Sequence, residues 1–305
     1  MSLITTSNNE TFEHLYASSL LDCMLYGTET RDRTGVGRRR VMHQYFKIQG
    51  MDKDTLPVLR AKKVYPKMAI KEMTWILSGL TNIDYLERHG VTYWREWADK
   101  NGELGRVYGA QMRDFNGTDQ IKYVLNNLVN KPESTQTMIS LWNPADLDKM
   151  ALPPCHFLYH FIVIPDKGVN YLHLHFTQRS ADAFLGVPYN AIMAKYFLIL
   201  MARFTGYAVG DVYWTLHDYH VYLNHYDQVN KYMNNYNENK FGTVGIDTNI
   251  EFTNLEPFTD HEKKDINLMV DKIDEFLKSC DTQKFKNIVV HNISSYEPIV
   301  ADIAV

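Results

Sequence analysis

Apolar residues recur at helical spacing in four segments, and each segment is followed closely by glycine or proline, the residues that commonly end helices. The last of the four is apolar almost all round, so it is predicted to be buried. The predicted helices are Thr11 to Tyr26 before Gly27, Lys67 to Leu77 before Gly79, Gln120 to Val129 before Pro132, and Pro188 to Phe204 before Gly206.

Shorter segments between these helices alternate apolar and polar residues, which is the pattern of a strand with one buried face. Within Tyr171 to Gln178, for example, Leu172 and Leu174 alternate with His173 and His175. Helices and strands mixed in this way predict an α+β fold in which a mixed sheet packs against helices. The other strands predicted in this part of the chain are Thr137 to Trp142 and His156 to Ile164.

The last quarter of the chain differs in composition. Asn230 to Asn254 is rich in Asn, Lys and Tyr, and it is interpreted as a loop or strand insertion that carries little chemistry. A predicted helix over Asp265 to Cys280 and a predicted strand over Phe285 to His291 follow it. Because no linker or internal repeat precedes residue 230, residues 1–305 are interpreted as a single domain with a polar insertion at about 230–264.

Charge and cysteine content narrow the class of protein. The formal net charge of -4 and the pI near 6.3 argue against a general affinity for polyanions. The three cysteines are widely spaced, and no secretory signal opens the chain, so free thiols and a cytoplasmic location are expected. The longest apolar run is far shorter than the roughly 20 residues that span a bilayer. We therefore expect neither a membrane nor an obligatory nucleic-acid partner.

Cys155 is the cysteine best placed for chemistry. It follows a Pro-Pro corner and precedes a predicted strand, a position that can expose a nucleophile at the edge of a sheet. A buried structural cysteine is the alternative. The segment from Gln178 to Asn190 favours the first interpretation, because it leads into a predicted buried helix and contains Arg179 and Asp182. A buried helix start can bind an anion, and an arginine can grip a phosphate and favour a thiolate.

Two histidine-rich stretches are not interpreted as metal sites. The residues from His217 to His225 could share a helix face, but no ligand elsewhere completes a recognisable set, and a polar helix face explains the stretch as well. His173 and His175 suit a half-exposed strand. The stretch after Gly35 lacks the spacing of a phosphate loop, which leaves Arg33 beside it as a candidate anion contact.

An aromatic group and one acid add candidate chemistry. Trp94 and Trp97, with Tyr93 and Tyr108, form an aromatic group. Such a group is either part of the hydrophobic core or a surface that stacks on a flat heterocycle. Glu72 lies inside an otherwise apolar helical segment. Helical periodicity leaves open whether this carboxyl lies on a solvated face or is a tuned acid-base group.

Several stretches together resemble the folate-dependent thymidylate synthases and the related pyrimidine nucleotide hydroxymethylases. The resemblance covers about residues 12 to 226, and beyond residue 230 only Ala304-Val305 is similar. It rests on Asp32-Arg33-Thr34-Gly35, the segment from Glu72 to Asn82, Trp94-Arg-Glu-Trp97-Ala-Asp, Leu104-Gly-Arg-Val-Tyr108-Gly, Leu141-Trp-Asn, Leu147-Asp-Lys-Met-Ala-Leu-Pro-Pro-Cys155-His156, Gln178-Arg-Ser-Ala-Asp182, Leu185-Gly-Val-Pro-Tyr-Asn190 and Asp218-Tyr-His220-Val-Tyr222-Leu-Asn-His.

The resemblance implies a thymidylate-synthase-like fold, a homodimer formed through the sheet face, and a role for each matching residue. Cys155 would add to carbon 6 of a pyrimidine nucleoside monophosphate, and the resulting enolate would take a one-carbon unit from 5,10-methylenetetrahydrofolate. Glu72 would manage protons, with Tyr108 and His156 in the surrounding network. The implied substrate contacts are Arg33, Gln178, Arg179, Ser180, Asn190, His220 and Tyr222. The implied folate contacts are Lys62, Trp94, Trp97, Asp182, Leu185, Gly186, Tyr189 and Val305.

The chain departs from the family pattern around the phosphate, the sugar and the tail. A second subunit of family members usually supplies two adjacent arginines to the phosphate, and the corresponding positions here are Thr135 and Gln136. Losing two charge-assisted contacts should weaken the binding of a nucleotide severely, because each contact contributes about 1.5–3 kcal/mol of binding free energy. Either another basic group compensates, for example from Gly37-Arg-Arg-Arg, or the substrate is not the usual one. His217 stands where the family has glycine, and Pro298-Ile-Val300 replaces an expected lysine.

Three functions are weighed on this basis. The favoured one is methylation of a uracil nucleotide, of the dUMP to dTMP type, because Asn190 suits uracil and Trp94 with the tail Ala304-Val305 would keep water away. The alternative is hydroxymethylation of dUMP, dCMP or CMP without folate oxidation, since a flip of the Asn190 amide would present a different donor pattern. The third is a non-catalytic homologue that binds nucleotide or RNA.

Overall fold

The computed structural model describes residues 11–31, 34–50, 54–238, 248–291 and 294–303. Over these residues the chain forms eight α-helices and ten strands. The helices are α1 Phe12–Tyr26, α2 Pro66–Leu77, α3 Asp84–Arg88, α4 Tyr108–Arg113, α5 Gln120–Asn130, α6 Gly186–Thr205, α7 Tyr226–Glu238 and α8 Ile266–Thr282. The strands are β1 Thr28–Thr30, β2 Arg38–Ile48, β3 Thr55–Leu56, β4 Met138–Ser140, β5 His156–Asp166, β6 Val169–Gln178, β7 Ala181–Asp182, β8 Ala208–Tyr222, β9 Thr248–Phe252 and β10 Ile288–Val290.

The strands form two sheets in the described part of the chain. The larger, seven-stranded sheet has the order β1-β2-β8-β6-β5-β4, and β7 also pairs with β8. Its pairs are antiparallel except for β6 with β8 and β7 with β8, so the sheet is mixed, as predicted. The smaller sheet has the order β10-β9-β3. The α+β fold, with a mixed sheet packed against helices, is therefore confirmed.

All four helices predicted before residue 210 are present as α1, α2, α5 and α6, and their starts have local causes. The Thr11 side chain accepts the N–H of His14, the Asp119 side chain accepts the N–H of Lys122, and Pro66 occupies the first turn of α2. Helix α6 is buried on nearly every side, packs against α2 and the larger sheet, and ends at Gly206 with φ of 83°. Its predicted burial is confirmed.

Strands β2 and β8, which pair with each other in the larger sheet, were not predicted. Strand β8 contains His217 and the residues that follow it, so the expectation that this stretch shares a helix face is wrong. Leu216 and Tyr219 are buried, while His217 is exposed and Asp218 adopts a left-handed φ of 44° between them. The pairing of β2 with β8 skips one residue on each strand at this point, so polar side chains interrupt the alternation.

The predicted insertion begins as a helix instead of a loop or strand. Helix α7 runs through Glu238, because Val229, Tyr232 and Met233 repeat at helical spacing and are buried despite the asparagines between them. Residues 239–247 lie outside the described residues, and β9 follows. The helix and strand predicted after the insertion are present as α8 and the shorter β10.

The two faces of the larger sheet have different surroundings. Leu172, Leu174 and Phe176 of β6 are buried on the helix side, whereas His173 and His175 lie on the opposite face. There the His175 ring stacks on Tyr213 of β8, with ring centroids 5.0 Å apart. This open face is the one through which dimerisation is predicted, and the dimer stays a prediction. None of the described helices is both long and apolar enough to pass through a membrane.

Candidate active site

Cys155 stands at the start of β5, directly after Pro153 and Pro154. Its side chain is partly exposed, whereas Cys23 and Cys280 are buried, and none of the three forms a disulfide. Burial raises the pKa of Cys23 to about 11 and that of Cys280 to about 12, so both are poor nucleophiles at neutral pH. Cys155 is therefore the cysteine of this chain that a substrate can reach.

The backbone around Cys155 is fixed from two sides. Its N–H donates to the Tyr108 hydroxyl at 2.8 Å, and its carbonyl accepts the backbone N–H of Arg179 at 2.8 Å. The Arg179 guanidinium donates to the carbonyls of Pro154 at 2.8 Å and Pro153 at 3.0 Å. Arg179 thus holds the corner that presents the thiol, and it brings a positive charge to the same loop.

Glu72 lies on α2 with a buried side chain, so the question that periodicity left open is answered in favour of burial. The Trp94 indole donates to one carboxyl oxygen at 2.9 Å, and the Tyr93 hydroxyl donates to the other. Burial raises the pKa of Glu72, and the two hydrogen bonds oppose that rise. A buried carboxyl with a raised pKa is suited to taking up and releasing protons during a reaction.

His156, the first residue of β5, and Tyr108, the first residue of α4, lie next to Cys155. Their rings lie 4.5 Å apart, and the Tyr159 hydroxyl is 2.7 Å from Nδ1 of His156. Burial lowers the pKa of His156 to about 3, so its imidazole is neutral at physiological pH. A neutral ring can orient hydrogen bonds here but adds no positive charge.

Gln178, Ser180 and Asn190 form a chain of amide hydrogen bonds. The side-chain N–H of Gln178 donates to the Ser180 carbonyl at 2.9 Å, and this carbonyl can only accept. The Gln178 amide oxygen therefore points the other way and accepts from Asn190 Nδ2 at 3.3 Å. Since Gln178 is buried, this arrangement sets the orientation of the Asn190 amide.

His220 and Tyr222 lie at the end of β8, beside Asp182 of β7. Asp182 pairs in register with His220, so the Asp182 carboxyl lies close enough to the His220 ring to affect its pKa. His220 is buried, and its Nδ1 lies 2.8 Å from the Asp218 carbonyl. Burial lowers the pKa of His220, while Asp182 opposes that effect. The three predicted contacts to sugar and folate therefore meet at one edge of the sheet.

A cluster of opposite charges faces the same edge. Arg38 and Arg40 of β2 pair in register with Tyr222 and His220. Both guanidinium groups contact the Asp218 carboxylate, at 3.1 Å and 2.9 Å. Two cations on one carboxylate leave this cluster with one net positive charge beside the predicted sugar contacts.

A family model described as thymidylate synthase matches residues 14–304, almost the whole chain. The chain belongs to the thymidylate synthase family. The match continues through the predicted insertion, so the resemblance extends further than the motifs up to residue 226 indicated. Family membership establishes a transferase that carries one-carbon groups from a folate to a pyrimidine nucleotide, as in nucleotide biosynthesis.

The residues at the predicted folate site of this thymidylate synthase family member suit a methylenetetrahydrofolate-type cofactor. Trp94 is buried with its ring 5.7 Å from Trp97, and Leu185, Gly186 and Tyr189 lie partly exposed at the start of α6. Asp182 accepts the backbone N–H groups of Phe184 and Leu185 at 3.0 Å and 3.1 Å. Aromatic and apolar walls beside a carboxylate match a flat heterocycle that carries N–H donors. The aromatic, apolar and carboxylate side chains at this place therefore fit the cofactor.

Lys62 occupies a different position from the other predicted folate contacts. It is buried, and its ammonium donates to the Phe184 carbonyl and lies 3.7 Å from the centre of the Phe184 ring. Burial lowers the pKa of Lys62 to about 7, and the nearby Asp182 opposes that effect. Lys62 thus supports the loop between β7 and α6 from inside. Arg33 and Val305, the remaining predicted contacts, lie outside the described residues.

Two residues of the site had no assigned role from the sequence. The sequence predicts for Tyr93 only membership of an aromatic group, although its hydroxyl contacts Glu72 directly. Tyr159 was not singled out, and its hydroxyl contacts the buried ring of His156. The position of Tyr93 next to Trp94 was a usable signal, because consecutive residues in a turn can both face one partner. No comparable sequence signal marked Tyr159.

Proposed function

We propose that this enzyme methylates the 5-position of a uracil nucleotide. The observation that carries this choice is the hydrogen-bond chain from Ser180 through Gln178 to Asn190. With Nδ2 directed toward Gln178, the Asn190 amide can accept from the ring N–H of uracil and donate to its carbonyl. Cytosine needs the reversed amide, which would bring the oxygens of Asn190 and Gln178 together. The arrangement therefore opposes the flip that would admit cytosine.

Cys155 is proposed as the nucleophile, with Arg179 and Glu72 as its partners in the reaction. The Cys155 sulfur forms a bond to carbon 6 of the base, and the electron pair of the ring double bond moves to make carbon 5 nucleophilic. Arg179 holds the thiol-bearing corner and attracts the substrate phosphate. Glu72 takes up and returns protons at the base and the folate side. Methylenetetrahydrofolate supplies the one-carbon unit and, for methylation, the hydride.

The enclosure of Glu72 supports methylation over hydroxymethylation. Trp94 is buried against Trp75, Trp97 and Tyr108, which makes an apolar wall beside the carboxyl. The described part of the tail also lies against the protein, since the His225 ring contacts the Asp302 carbonyl at 2.7 Å. Keeping water from the reacting carbon favours hydride transfer.

Hydroxymethylation is the second candidate, and one observation favours it. The Tyr93 hydroxyl is a polar group placed directly on Glu72 within this wall. A hydroxyl at that position is a ready hydrogen-bond partner for a water molecule that could capture the one-carbon unit.

A nucleotide panel separates these activities. The enzyme is incubated with methylenetetrahydrofolate and dUMP, UMP, dCMP or CMP, and release of the hydrogen at carbon 5 is followed together with dihydrofolate absorbance. We expect uracil nucleotides to release hydrogen with an equal amount of dihydrofolate. Release of the carbon-5 hydrogen without formation of dihydrofolate would establish hydroxymethylation. Hydrogen release from cytosine nucleotides alone would contradict the role given to Asn190.

Restoring the two missing arginines should tighten nucleotide binding in the homodimer that we propose. Thr135 and Gln136 are exposed, so Thr135→Arg with Gln136→Arg should be accommodated without loss of packing. Two charge-assisted contacts predict a fall in KM for the preferred nucleotide of at least about tenfold. Steady-state kinetics at fixed folate concentration measure it.

The control for this variant is Glu133→Arg, which adds positive charge to the same exposed segment at a position without that family role. It should leave KM nearly unchanged. An unchanged or raised KM in the double-arginine variant would show that these positions serve another ligand. The charge of the Arg38 and Arg40 cluster would then be the better explanation for phosphate binding.

A further inference from the structure

Tyr93 occupies a position that family membership leaves without a role. Its ring is partly exposed, but its hydroxyl points inward and donates to Oε2 of Glu72. Burial and the adjacent carboxylate raise the pKa of Tyr93 well above its usual value, so the hydroxyl keeps its proton. Tyr93 is therefore a permanent hydrogen-bond donor to the acid-base group of the site.

Tyr93 and Trp94 together hold the carboxyl of Glu72 at both ends. Trp94 donates to Oε1 and Tyr93 to Oε2, so two consecutive residues fix the plane of the carboxyl group. Hydrogen bonds from neutral donors favour the ionised form of an acid and lower its pKa. In the interior this compensates for part of the cost of burying a charge.

Tyr93 also lies toward the folate side of Glu72. Tyr189, one of the partly exposed residues of the predicted folate wall, lies close enough to contribute to the raised pKa of Tyr93. The side chains of Glu72, Tyr93 and Tyr189 thus lead from the acid-base carboxyl to the surface on which the cofactor is expected. A substitution at Tyr93 would therefore alter the rate of the one-carbon transfer.

We propose that Tyr93 is a positioning residue of the one-carbon transfer, which keeps Glu72 in a fixed orientation and in its ionised, proton-accepting form. This inference deepens the proposed function and rests on it for the identity of the reaction. If the Tyr93 ring only filled space, it would stabilise the fold without changing how Glu72 titrates, and this difference can be measured.

The first experiment titrates Glu72 by infrared absorption of its protonated carboxyl, assigned by difference from Glu72→Gln. Removing the hydroxyl in Tyr93→Phe should move the titration midpoint upward by about 1 pH unit, because the ionised form loses a donor. Replacing Tyr93 by 3-fluorotyrosine, whose hydroxyl is a stronger donor, should move the midpoint downward. The acid limb of the kcat profile should move in the same directions, with KM for the nucleotide little changed.

The matched control is Tyr196→Phe. Tyr196 is fully buried, and its hydroxyl is 3.2 Å from the Thr74 hydroxyl on the same helix as Glu72, but Glu72 is not its partner in that bond. Its removal should lower thermal stability and leave the Glu72 midpoint in place. An unmoved midpoint in Tyr93→Phe, or an equal movement in Tyr196→Phe, would overturn the inference. If the unaltered enzyme releases no carbon-5 hydrogen from any nucleotide, the proposed function fails, while the infrared midpoint still decides the role of Tyr93.

Discussion

Cys155→Ser should abolish turnover while the protein remains folded and still binds nucleotide. A serine hydroxyl is far less acidic than a thiol and a much weaker nucleophile toward carbon 6, so kcat should fall by at least about 10⁴-fold. The substitution removes little volume from a partly exposed site, and the backbone contacts to Tyr108 and Arg179 are unchanged by it. Hydrogen release at carbon 5 measures the loss, and calorimetry with the nucleotide measures binding.

Mass spectrometry of the denatured protein adds a direct test of the adduct. The unaltered enzyme, quenched during turnover with nucleotide and folate, should yield a species heavier by the nucleotide or by the nucleotide and the folate together, which Cys155→Ser should lack. Cys280→Ser is the matched control, because Cys280 is buried next to Asn287 and lies in α8. It should lose some stability and keep its turnover. Full activity in Cys155→Ser would exclude the covalent mechanism.

Glu72→Gln should lower kcat by about 10²- to 10⁴-fold, the usual contribution of a positioned acid-base group. The amide has nearly the same shape as the carboxyl but cannot take up a proton at neutral pH. Because burial raises the pKa of Glu72, the acid limb of the kcat profile should lie above the range of an ordinary glutamate in the unaltered enzyme. That limb should disappear in Glu72→Gln. Rates measured across the pH range test both statements.

Glu13→Gln is the control for the loss of a buried carboxyl. Burial also raises the pKa of Glu13, whose carboxylate accepts the backbone N–H groups of Arg60 and Ala61. Its substitution should lower stability and leave the acid limb of kcat where it is. A Glu72→Gln variant that kept the acid limb would assign that limb to another group and remove Glu72 from proton transfer.

The sequence predicted those helices and strands of this fold whose signals are local. Helix α6 could be recognised from its apolar residues and from Gly206, which adopts the left-handed φ that ends the helix. Strand β6 could be recognised from strict alternation. Strands β2 and β8 could not, because polar residues occur on both faces of these strands and the irregularity at Asp218 breaks the alternation.

In the candidate site, too, some features could be predicted from the sequence and others depend on contacts formed by folding. Family motifs proposed Cys155, Glu72 and Arg179 as the chemical groups, and the family match confirms the family that the motifs indicated. The motifs did not reveal that Arg179 holds the carbonyls of Pro153 and Pro154, nor that Arg38 and Arg40 share Asp218. These contacts join residues that are distant in the chain.

The sequence by itself determined the family and the α+β class and proposed the reactive side chains, because residue types and short-range spacing are sufficient for these. Only the tertiary structure decided that Glu72 is buried, that Lys62 supports a loop from inside, and that Tyr93 contacts Glu72. The physical reason is that proton affinity depends on desolvation and on hydrogen-bond partners. Both are set by groups that folding brings together, as it brings Lys62 to the carbonyl of Phe184, 122 positions away in the chain.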